Sequence, residues 1–279
     1  MLWDVFSGKS FPGGAPMNVA IGLRKLGADI NFLSGCGKDK RGEELLKYLE
    51  DNGISTLLIQ KNNYPTGIVN VHLSKDKDAS YDIVFPSAWD YIQKPDALPD
   101  FNVIVYGSLS CRNETSFDTL KSLLEKEALK IFDINLRPPY TDKTILELLM
   151  HKADIVKMNH DELSHILTLN RHKSDFLEQA ADFVCEKYNI SLLCVTLGDK
   201  GAFLMAGEEK IYQEGFRIKA ADTVGAGDAF LAGFIDYYLK KKSLEETLEF
   251  ASRLGAYVAS QKGANPPFYP DRLKGLAED

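Results

Sequence analysis

The chain has 279 residues, of which 44% are hydrophobic, enough to bury the core of one large α/β domain or of one domain with a small appendage. Its net charge of −7 comes from 33 basic and 40 acidic residues spread along the chain, which excludes the basic stripe that nucleic-acid binding requires. No apolar run approaches the roughly 18 residues of a membrane helix, and the N-terminus does not resemble a signal peptide. We therefore expect a cytoplasmic protein with no membrane or nucleic-acid partner.

Strands alternate with helices along most of the chain, which is typical of a parallel sheet covered by helices on both faces. Helices are predicted from Pro16 to Leu26 and from Arg41 to Asp51, each closed by a glycine. A strand-like run lies between them, and four more follow from residue 103 onwards: INFLSG, then VIVYGS, KIFDIN, DIVKMN and LLCVTLG. Ligands bind beyond the carboxyl ends of strands in open α/β sheets, so the polar residues that end these strands are candidate contacts.

Residues 54–87 depart from this rhythm. Three strand-like runs follow one another there without a helix: ISTLLIQ (54–60), TGIVNVHL (66–73) and SYDIVF (80–85). They predict a β-meander which, with part of 4–13, forms a small lid on a core made of 1–53 and 88–279. The alternation of Ile68, Asn70 and His72 with Val69, Val71 and Leu73 predicts one apolar face. A lid over a ligand and an edge extension for dimer contacts fit this pattern equally well, and both can hold together.

Several familiar sites are excluded. Gly8-Lys9-Ser10 is not a Walker loop, because Trp3 stands where that loop has its first glycine. Gly225-Ala226-Gly227 is not a dinucleotide fingerprint, because Phe230 replaces the third glycine. His160 and His165 are five residues apart on a predicted helix and point to different faces, which argues against a metal held by histidines. The four cysteines have no CxxC spacing, so reduced thiols are expected.

The segment from Thr223 to Asp228 runs directly into an apolar helix. Its small residues allow the backbone N–H groups of 225–228 to point at one spot, where the helix dipole adds about half a positive charge. This pattern predicts an anion hole made of backbone. Taken alone, Asp228 is explained as an ordinary helix cap.

Other polar residues nearby favour a role with nucleotide phosphates. Asp222 flanks the same predicted anion site, and Asn159 and Glu162 begin another helix directly after the strand DIVKM. Carboxylates and amides at strand ends can hold a hydrated Mg²⁺, the usual companion of such phosphates.

Two stretches resemble the ribokinase-like, PfkB-type carbohydrate kinases, a family that includes fructokinase, ribokinase, adenosine kinase and 2-keto-3-deoxygluconate kinase. They are FPGGAPMNVAIGLRKLG (11–27) and DTVGAGDAFLAGF (222–234). Landmarks between them agree as well, so the resemblance covers essentially the whole chain. It implies a three-layer α/β/α, Rossmann-like fold with a mostly parallel sheet and a small β-sheet lid. It also implies a phosphotransferase that moves the γ-phosphate of ATP to a sugar hydroxyl.

The resemblance assigns roles to individual residues. The aspartate that matches Asp228 is the general base for the attacking hydroxyl, while the amides of Gly225, Ala226 and Gly227 stabilise the transferring phosphoryl group. Sugar contacts are implied near the lid, at Asp4, Gly13, Gly14 and Asn18. For Asn18 a plain helix-capping role is the alternative, and for Arg137 a phosphate clamp and a surface ion pair are equally open.

The nucleotide and ion contacts follow in the same way. Asn159 and Glu162 match a pattern that places Mg²⁺ and phosphates through water, and Thr196, Gly198 and Gly201 match a nucleotide-binding turn. Ser252 stands where the family often has Asn or His near the adenine, so that contact is lost or replaced by water. Asp222 and Val224 match a monovalent-cation loop, but Pro267 replaces a common serine there, which leaves potassium activation open.

The substrate is predicted from local resemblance. LWDVF, GGAPMNVA and DINLRPP resemble fructokinases, so D-fructose with ATP is the first prediction. Alternatives are 2-keto-3-deoxygluconate, ribose, tagatose or a nucleoside, or a catalytically silent sugar- or nucleotide-binding protein on the same fold. Many relatives pair through their lids, which implies a homodimer.

Overall fold

The computed structural model describes residues 1–6, 8–73, 79–269 and 273. The strands are β1 (Leu2–Phe6), β2 (Lys9–Gly13), β3 (Ser34–Gly37), β4 (Ile59–Asn62), β5 (Ile68–Leu73), β6 (Ala79–Ile83), β7 (Val103–Gly107), β8 (Leu129–Asp133), β9 (Ile155–Asn159), β10 (Leu192–Thr196), β11 (Gly201–Ala206) and β12 (Glu209–Glu214). The helices are α1 (Ala15–Lys25), α2 (Lys40–Asp51), α3 (Glu114–Leu124), α4 (Lys143–Lys152), α5 (His160–Leu169), α6 (Leu177–Tyr188), α7 (Ala226–Leu239) and α8 (Leu244–Ala259).

The central sheet has the order β12-β11-β10-β9-β8-β7 within the described residues. Strands β7 to β10 are parallel, and β11 and β12 add two antiparallel strands at one edge. Alternate side chains of the strands enter two separate cores. One core lies under α3 to α6 and the other under α1, α7 and α8. The predicted three-layer α/β/α fold with a mostly parallel sheet is confirmed.

A second, small sheet has the order β2-β1-β5-β6 and is called the lid below. Val69 and Val71 of β5 are buried in an apolar cluster with Leu2 and Ile83, whereas Ile68 and Asn70 are only half-buried. The predicted alternation therefore holds for residues 68–71. The side chains of His72 and Leu73 lie outside the described residues.

Strand β4 does not belong to the lid, so the predicted three-stranded meander is wrong in its first strand. β4 pairs in parallel with β3, with Ile59 opposite Ser34. Burial gives the physical reason: Ile54 and Ile59 pack in the apolar cluster beside α1 and α2, whereas Leu57 between them is 92% exposed. The apolar pattern of 54–60 indicated a strand but carried no information on its partner. The lid takes β1 and β2 from the N-terminal segment, where the sequence had assigned part of residues 4–13 to it.

Helix α1 joins the two regions. Met17 and Ile21 pack in the cluster that contains β3, while Val19 and Leu23 pack beneath the central sheet. The helix starts directly after Gly14, whose φ of 109° is open to glycine but strained for other residues. The start of α1 is thereby fixed between the lid and the carboxyl edge of the central sheet. In the described part of the chain, no helix is long and apolar enough to cross a membrane.

Candidate active site

The first turn of α7 forms the centre of the site. Gly225 precedes it with a φ of 79°, and a Cβ atom there would lie 2.7 Å from the Cα of Ala264. Only glycine fits both the backbone conformation and the space. The first N–H groups of a helix have no intrahelical acceptor, so those of Gly227 and Asp228 can face an anion, while that of Ala226 donates to the carbonyl of Thr223 at 3.3 Å. The predicted anion hole therefore has a physical basis in this turn.

The loop before α7 is held by Asp222. Its Oδ1 accepts the N–H of Val224 at 3.0 Å, and its Oδ2 accepts the N–H of Gly263 at 3.2 Å. Asp222 thus ties the loop to residues 263–267, while the Val224 side chain is 45% exposed. Both carboxylate oxygens already accept a backbone donor, which limits the ways in which Asp222 can serve a cation.

Asp228 is half-buried, and its Oδ2 accepts a hydrogen bond of 2.7 Å from Nδ2 of Asn18. Burial, followed by the negative charge of Asp133, raises the pKa of Asp228 to about 6, while Asn18, Lys157 and Arg137 act in the opposite direction. A carboxylate with that pKa is mostly ionised at neutral pH and is more basic than an ordinary aspartate. It can therefore accept a proton from a bound hydroxyl group.

A buried ion pair lies beneath this turn. Lys157 Nζ is 3.0 Å from Oδ1 of Asp133, and the two side chains are 9% and 7% exposed. A Cβ atom on Gly227 would be 3.3 Å from the same ammonium group, so Lys157 lies directly under the start of α7. Burial alone would lower the pKa of Lys157, but the carboxylates of Asp133, Glu162 and Asp228 outweigh burial and raise it. The ammonium group adds a positive charge to the predicted phosphate position.

Glu162 and Asn159 form a capping box at the start of α5. The side-chain oxygen of Asn159 accepts the N–H of Glu162 at 2.8 Å, and Glu162 Oε2 accepts the N–H of Asn159 at 2.8 Å. The other oxygen of Glu162 accepts the N–H of Leu136 at 2.9 Å, so Glu162 joins α5 to the loop after β8. Burial raises the pKa of Glu162, partly offset by Lys157. A divalent ion would meet this carboxylate only through its remaining lone pairs or through water.

The predicted sugar-binding residues lie around α1 and β1. Asp4 pairs with Phe11 across the lid sheet, and its carboxylate lies where a Cβ atom on Gly13 would be, so only glycine fits at 13. Burial raises the pKa of Asp4 to about 6, while the positive charges of Arg137 and the N-terminus lower it. Asn18 is 6% exposed and touches Asp228 directly.

Arg137 lies close enough to Asp4 and Asp228 to lower the pKa of both carboxyl groups. Its Nη1 donates to the neighbouring carbonyl of Leu136 at 2.8 Å. No carboxylate among the described residues lies within ion-pair distance of its guanidinium. A surface ion pair, one of the two roles left open by the sequence, is therefore not formed in this part of the chain.

The predicted nucleotide-binding residues lie at the carboxyl end of β10 and on α8. Thr196 is opposite Asn159 in the sheet, and its hydroxyl donates to the carbonyl of Met158 at 3.5 Å. Gly198 and Gly201 have φ values of 65° and 105°. Ser252 is 9% exposed on α8, and its Oγ has no hydrogen-bond partner among the described residues. The roles of these four residues stay predictions.

A sequence profile of the pfkB family carbohydrate kinases matches residues 3–272 of the chain. The chain belongs to this family. It is 30% identical over 277 residues to probable fructokinase-5 of Arabidopsis thaliana, covering 91% of this chain and 84% of that protein. It is 28% identical over 282 residues to the aminoimidazole riboside kinase of Salmonella typhimurium, covering 94% of this chain and 86% of that protein.

Solved structures of sugar kinases share the fold. The sugar kinase PH1459 of Pyrococcus horikoshii, crystallised with ATP, superposes with a TM-score of 0.84 at 26% identity, covering 97% of this chain and 94% of that one. The fructokinase of Vibrio cholerae O395, crystallised with fructose, ADP and a calcium ion, superposes with a TM-score of 0.83 at 25% identity. The match covers 99% of this chain and 96% of that one. The predicted family is confirmed, and with it the activity class of a phosphotransferase that acts on a hydroxyl group.

Three further residues belong to the site of this pfkB kinase but were missed by the sequence analysis: Asp133, Lys157 and Asn265. The signal for Lys157 was available, because a lysine inside the apolar strand IVKM requires a buried partner. The partner, Asp133, ends the neighbouring strand β8 and lies directly opposite Lys157 in the sheet. Asn265 has no such signal, since its contact with Asn18 joins residues that are 247 positions apart.

Proposed function

We propose that this sugar kinase is a fructokinase, which transfers the γ-phosphate of ATP to a hydroxyl group of D-fructose. The observation that carries the proposal is the Asp228 carboxylate, which lies in the first turn of α7 beside the N–H group of Gly227 and has a raised pKa. Fructose is supported by the likeness to fructokinase-5 and by the fructose complex of the Vibrio cholerae enzyme.

In the proposed mechanism Asp228 accepts the proton of the attacking hydroxyl. The N–H groups of Gly227 and Asp228 stabilise the negative charge of the phosphoryl group in transfer, joined by that of Ala226 if it leaves the Thr223 carbonyl, and Lys157 adds its positive charge from below. Base and anion hole occupy one helical turn, so a hydroxyl that contacts the carboxylate also faces the phosphate. Positioning and charge stabilisation supply most of the rate in such reactions, and a general base adds about 10²- to 10⁴-fold.

The remaining residues fit sugar, nucleotide and ion contacts. Asp4, Gly13, Gly14 and Asn18 are proposed to bind the sugar hydroxyls, and Arg137 to bind a phosphate group. Thr196, Gly198, Gly201 and Ser252 are proposed to lie along the nucleotide. Asn159 and Glu162 would hold Mg²⁺ through water, where the ion would neutralise phosphate charge.

Further parts of the proposal rest on less direct support. Asp222 and Val224 are proposed to hold potassium. A homodimer through the lid and a cytoplasmic location stay predictions from the sequence. No group of three or more His, Cys, Asp or Glu side chains in the described ranges is arranged to hold a metal ion directly.

The substrate has a specific alternative. The likeness to an aminoimidazole riboside kinase is almost as strong as the likeness to fructokinases, and it favours a riboside as acceptor. Ribose, tagatose, 2-keto-3-deoxygluconate and adenosine are the other candidates. A catalytically silent binding protein is disfavoured, because the base and both glycines of the anion hole are present.

An ATP-coupled assay against these acceptors, with fructose 6-phosphate and an aminoimidazole riboside included, tests the proposal. We expect the highest kcat/KM with fructose, and a loss of at least about 100-fold in kcat for Asp228→Asn. Asp161→Asn, an exposed carboxylate on α5, is the matched control and should keep full activity. No phosphorylated product with any acceptor, or undiminished turnover of Asp228→Asn, would overturn the mechanism. A different preferred acceptor would overturn the substrate alone.

A further inference from the structure

A chain of side-chain amides leads from the C-terminal loop to Asp228. Nδ2 of Asn265 donates to Oδ1 of Asn18 at 2.7 Å, and Nδ2 of Asn18 donates to Oδ2 of Asp228 at 2.7 Å. The three residues come from the loop after α8, from α1 and from α7. None of the roles discussed above involves Asn265.

The first of these bonds supports the orientation of the second. An asparagine amide has a donor end and an acceptor end of nearly equal shape, and a half-turn exchanges them. Asn265 donates to the oxygen of Asn18 and Asp228 accepts from its NH₂ group, so both partners favour the same orientation of the Asn18 amide. In the reverse orientation the carbonyl oxygen of Asn18 would face the carboxylate, which repels it and loses the hydrogen bond.

The loop that carries Asn265 is fixed on several sides. Lys25 of α1 donates from Nζ to the carbonyl oxygens of Asn265 and Pro266 at 2.9 and 3.1 Å. The hydroxyl of Tyr257 donates to the carbonyl of Pro267 at 2.9 Å. On the other side Ala264 packs against Gly225, where there is no room for a Cβ atom. The loop is thus held by the helices that also carry Asn18 and Asp228.

We propose that Asn265 is a positioning residue for phosphoryl transfer, which holds the Asn18 amide so that its N–H groups face the Asp228 carboxylate. The inference rests on the proposed role of Asp228 as the base. Asn265 acts through Asn18, and its effect is on the orientation and basicity of Asp228.

The expected consequence is a change in the titration of Asp228. The groups that act on this carboxyl group are Asp133 from β8, Arg137 from the loop after β8, Lys157 from β9 and Asn18 from α1. Of these, only Asn18 can change its contact by rotating an amide. When Asn265 no longer holds it, part of the stabilisation of the ionised carboxylate is lost, so the pKa of Asp228 rises.

The test compares wild type with Asn265→Leu, which keeps the size of the side chain and removes its donor. We expect the acid limb of kcat against pH to move upward by about half a unit to one unit. At pH 6 kcat should fall roughly 2- to 5-fold, and at pH 8 by less than about threefold, with the KM for ATP unchanged. The control is Asn170→Ala, which removes a half-buried asparagine that donates a hydrogen bond to Tyr188 at the far end of α5. This variant should leave the acid limb of kcat against pH unchanged.

A second readout is independent of activity. The carboxyl carbon of Asp228 is titrated by NMR in ¹³C-labelled protein and assigned by its absence in Asp228→Asn. A higher Asp228 pKa in Asn265→Leu supports the inference even when fructose proves to be the wrong acceptor. An unchanged pKa overturns it even when the kinase assay succeeds. If Asn265→Leu does not fold, Lys25→Met releases the same loop. We expect this variant to raise the Asp228 pKa as well. An unchanged Asp228 pKa in Lys25→Met would overturn the inference.

Discussion

Asp4 and Asp228 have similar environments but different expected tasks. Burial raises the pKa of each to about 6, and Arg137 lowers both. Asp228 lies in the first turn of a helix beside the N–H group of Gly227, where a phosphoryl group would meet the hydroxyl that Asp228 is proposed to deprotonate. Asp4 lies in a strand of the lid, against Gly13, where it is proposed to accept hydrogen bonds from the sugar. Substitutions at the two positions should therefore change different kinetic constants.

For Asp4→Ala we expect a rise in the KM of the sugar by about 10- to 100-fold, because a hydrogen bond to a charged group contributes about 1.5–3 kcal/mol. The KM of ATP should change little, since no predicted nucleotide contact is removed. Steady-state kinetics with each substrate varied in turn measures both values. The reverse pattern, a weaker ATP interaction with an unchanged sugar KM, would place the sugar elsewhere.

Replacing Asp228 should also change stability. Its pKa is 3.8 when unperturbed and about 6 in the folded chain, so the folded state binds more protons between these values. The stability contributed by Asp228 is therefore fully present below about pH 4 and is lost as the pH rises through 6. We expect Asp228→Asn to unfold with a free energy about 1–3 kcal/mol higher than wild type at pH 7.5.

That gain should shrink several-fold near pH 4, where the wild-type carboxyl group is protonated in the folded state and partly protonated in the unfolded state. Urea unfolding at both pH values measures it, and Asp161→Asn serves again as the exposed control. An equal gain at both values would show that the effect is not the titration of Asp228.

At the scale of elements, strands β8 and β9 carry the site through one buried pair. Lys157 balances the carboxylates of Asp133, Glu162 and Asp228 in a region with little solvent. Removing one partner of such a pair leaves a buried charge uncompensated, which costs about 3–5 kcal/mol. We expect Lys157→Met to lose about this amount of unfolding free energy and to lower kcat as well.

The double variant Asp133→Asn/Lys157→Met should recover part of the lost stability but not the lost activity, because the positive charge under α7 stays absent. Chemical unfolding at pH 7.5 and the kinase assay separate the two effects. A double variant that is no more stable than Lys157→Met would contradict the view that the unpaired Asp133 is the main cost.

The elements also show what the sequence could predict. Local signals predicted the helices well: α1 and α2 were expected at 16–26 and 41–51, and they occupy Ala15–Lys25 and Lys40–Asp51. The start of α7 was placed three residues late, because Gly225, Ala226 and Gly227 resembled a loop. The pairing of strands that are distant in sequence could not be predicted. The residues of β4, for example, do not indicate that its partner is β3. Asn265 was missed for the same reason.

At the scale of the whole molecule, the lid is joined to the core by a buried arginine. Arg112 pairs with Asp90 at 2.6 Å, and neither side chain is exposed. The same guanidinium donates to the carbonyls of Ile83 and Val84, at the end of β6. The base of the lid is therefore held by a buried arginine that makes four hydrogen bonds, while the edge strands of the lid carry exposed aromatic side chains.

These aromatic side chains favour the predicted dimer. Phe11 on β2 and Tyr81 on β6 are 51% and 52% exposed, and both lie on edge strands of the lid. Exposed apolar groups on the edge strands of a sheet offer a contact to a second sheet. Phe11 lies opposite Asp4 in the sheet, and Tyr81 lies opposite Val71, which is on the same face as Asp4. Both aromatic side chains are therefore on the face of the lid that carries Asp4. A partner lid seated there would lie next to the proposed sugar position.

We expect wild type to be a dimer in analytical ultracentrifugation and Tyr81→Glu to be a monomer with a higher sugar KM, because a buried carboxylate opposes the contact. Leu57→Glu is the control, since Leu57 is 92% exposed and lies outside the lid; it should leave both properties unchanged. A wild type that stays monomeric at micromolar concentration would refute the dimer. If Tyr81→Glu then still raised the sugar KM, the edge of the lid would cover the sugar within a single chain.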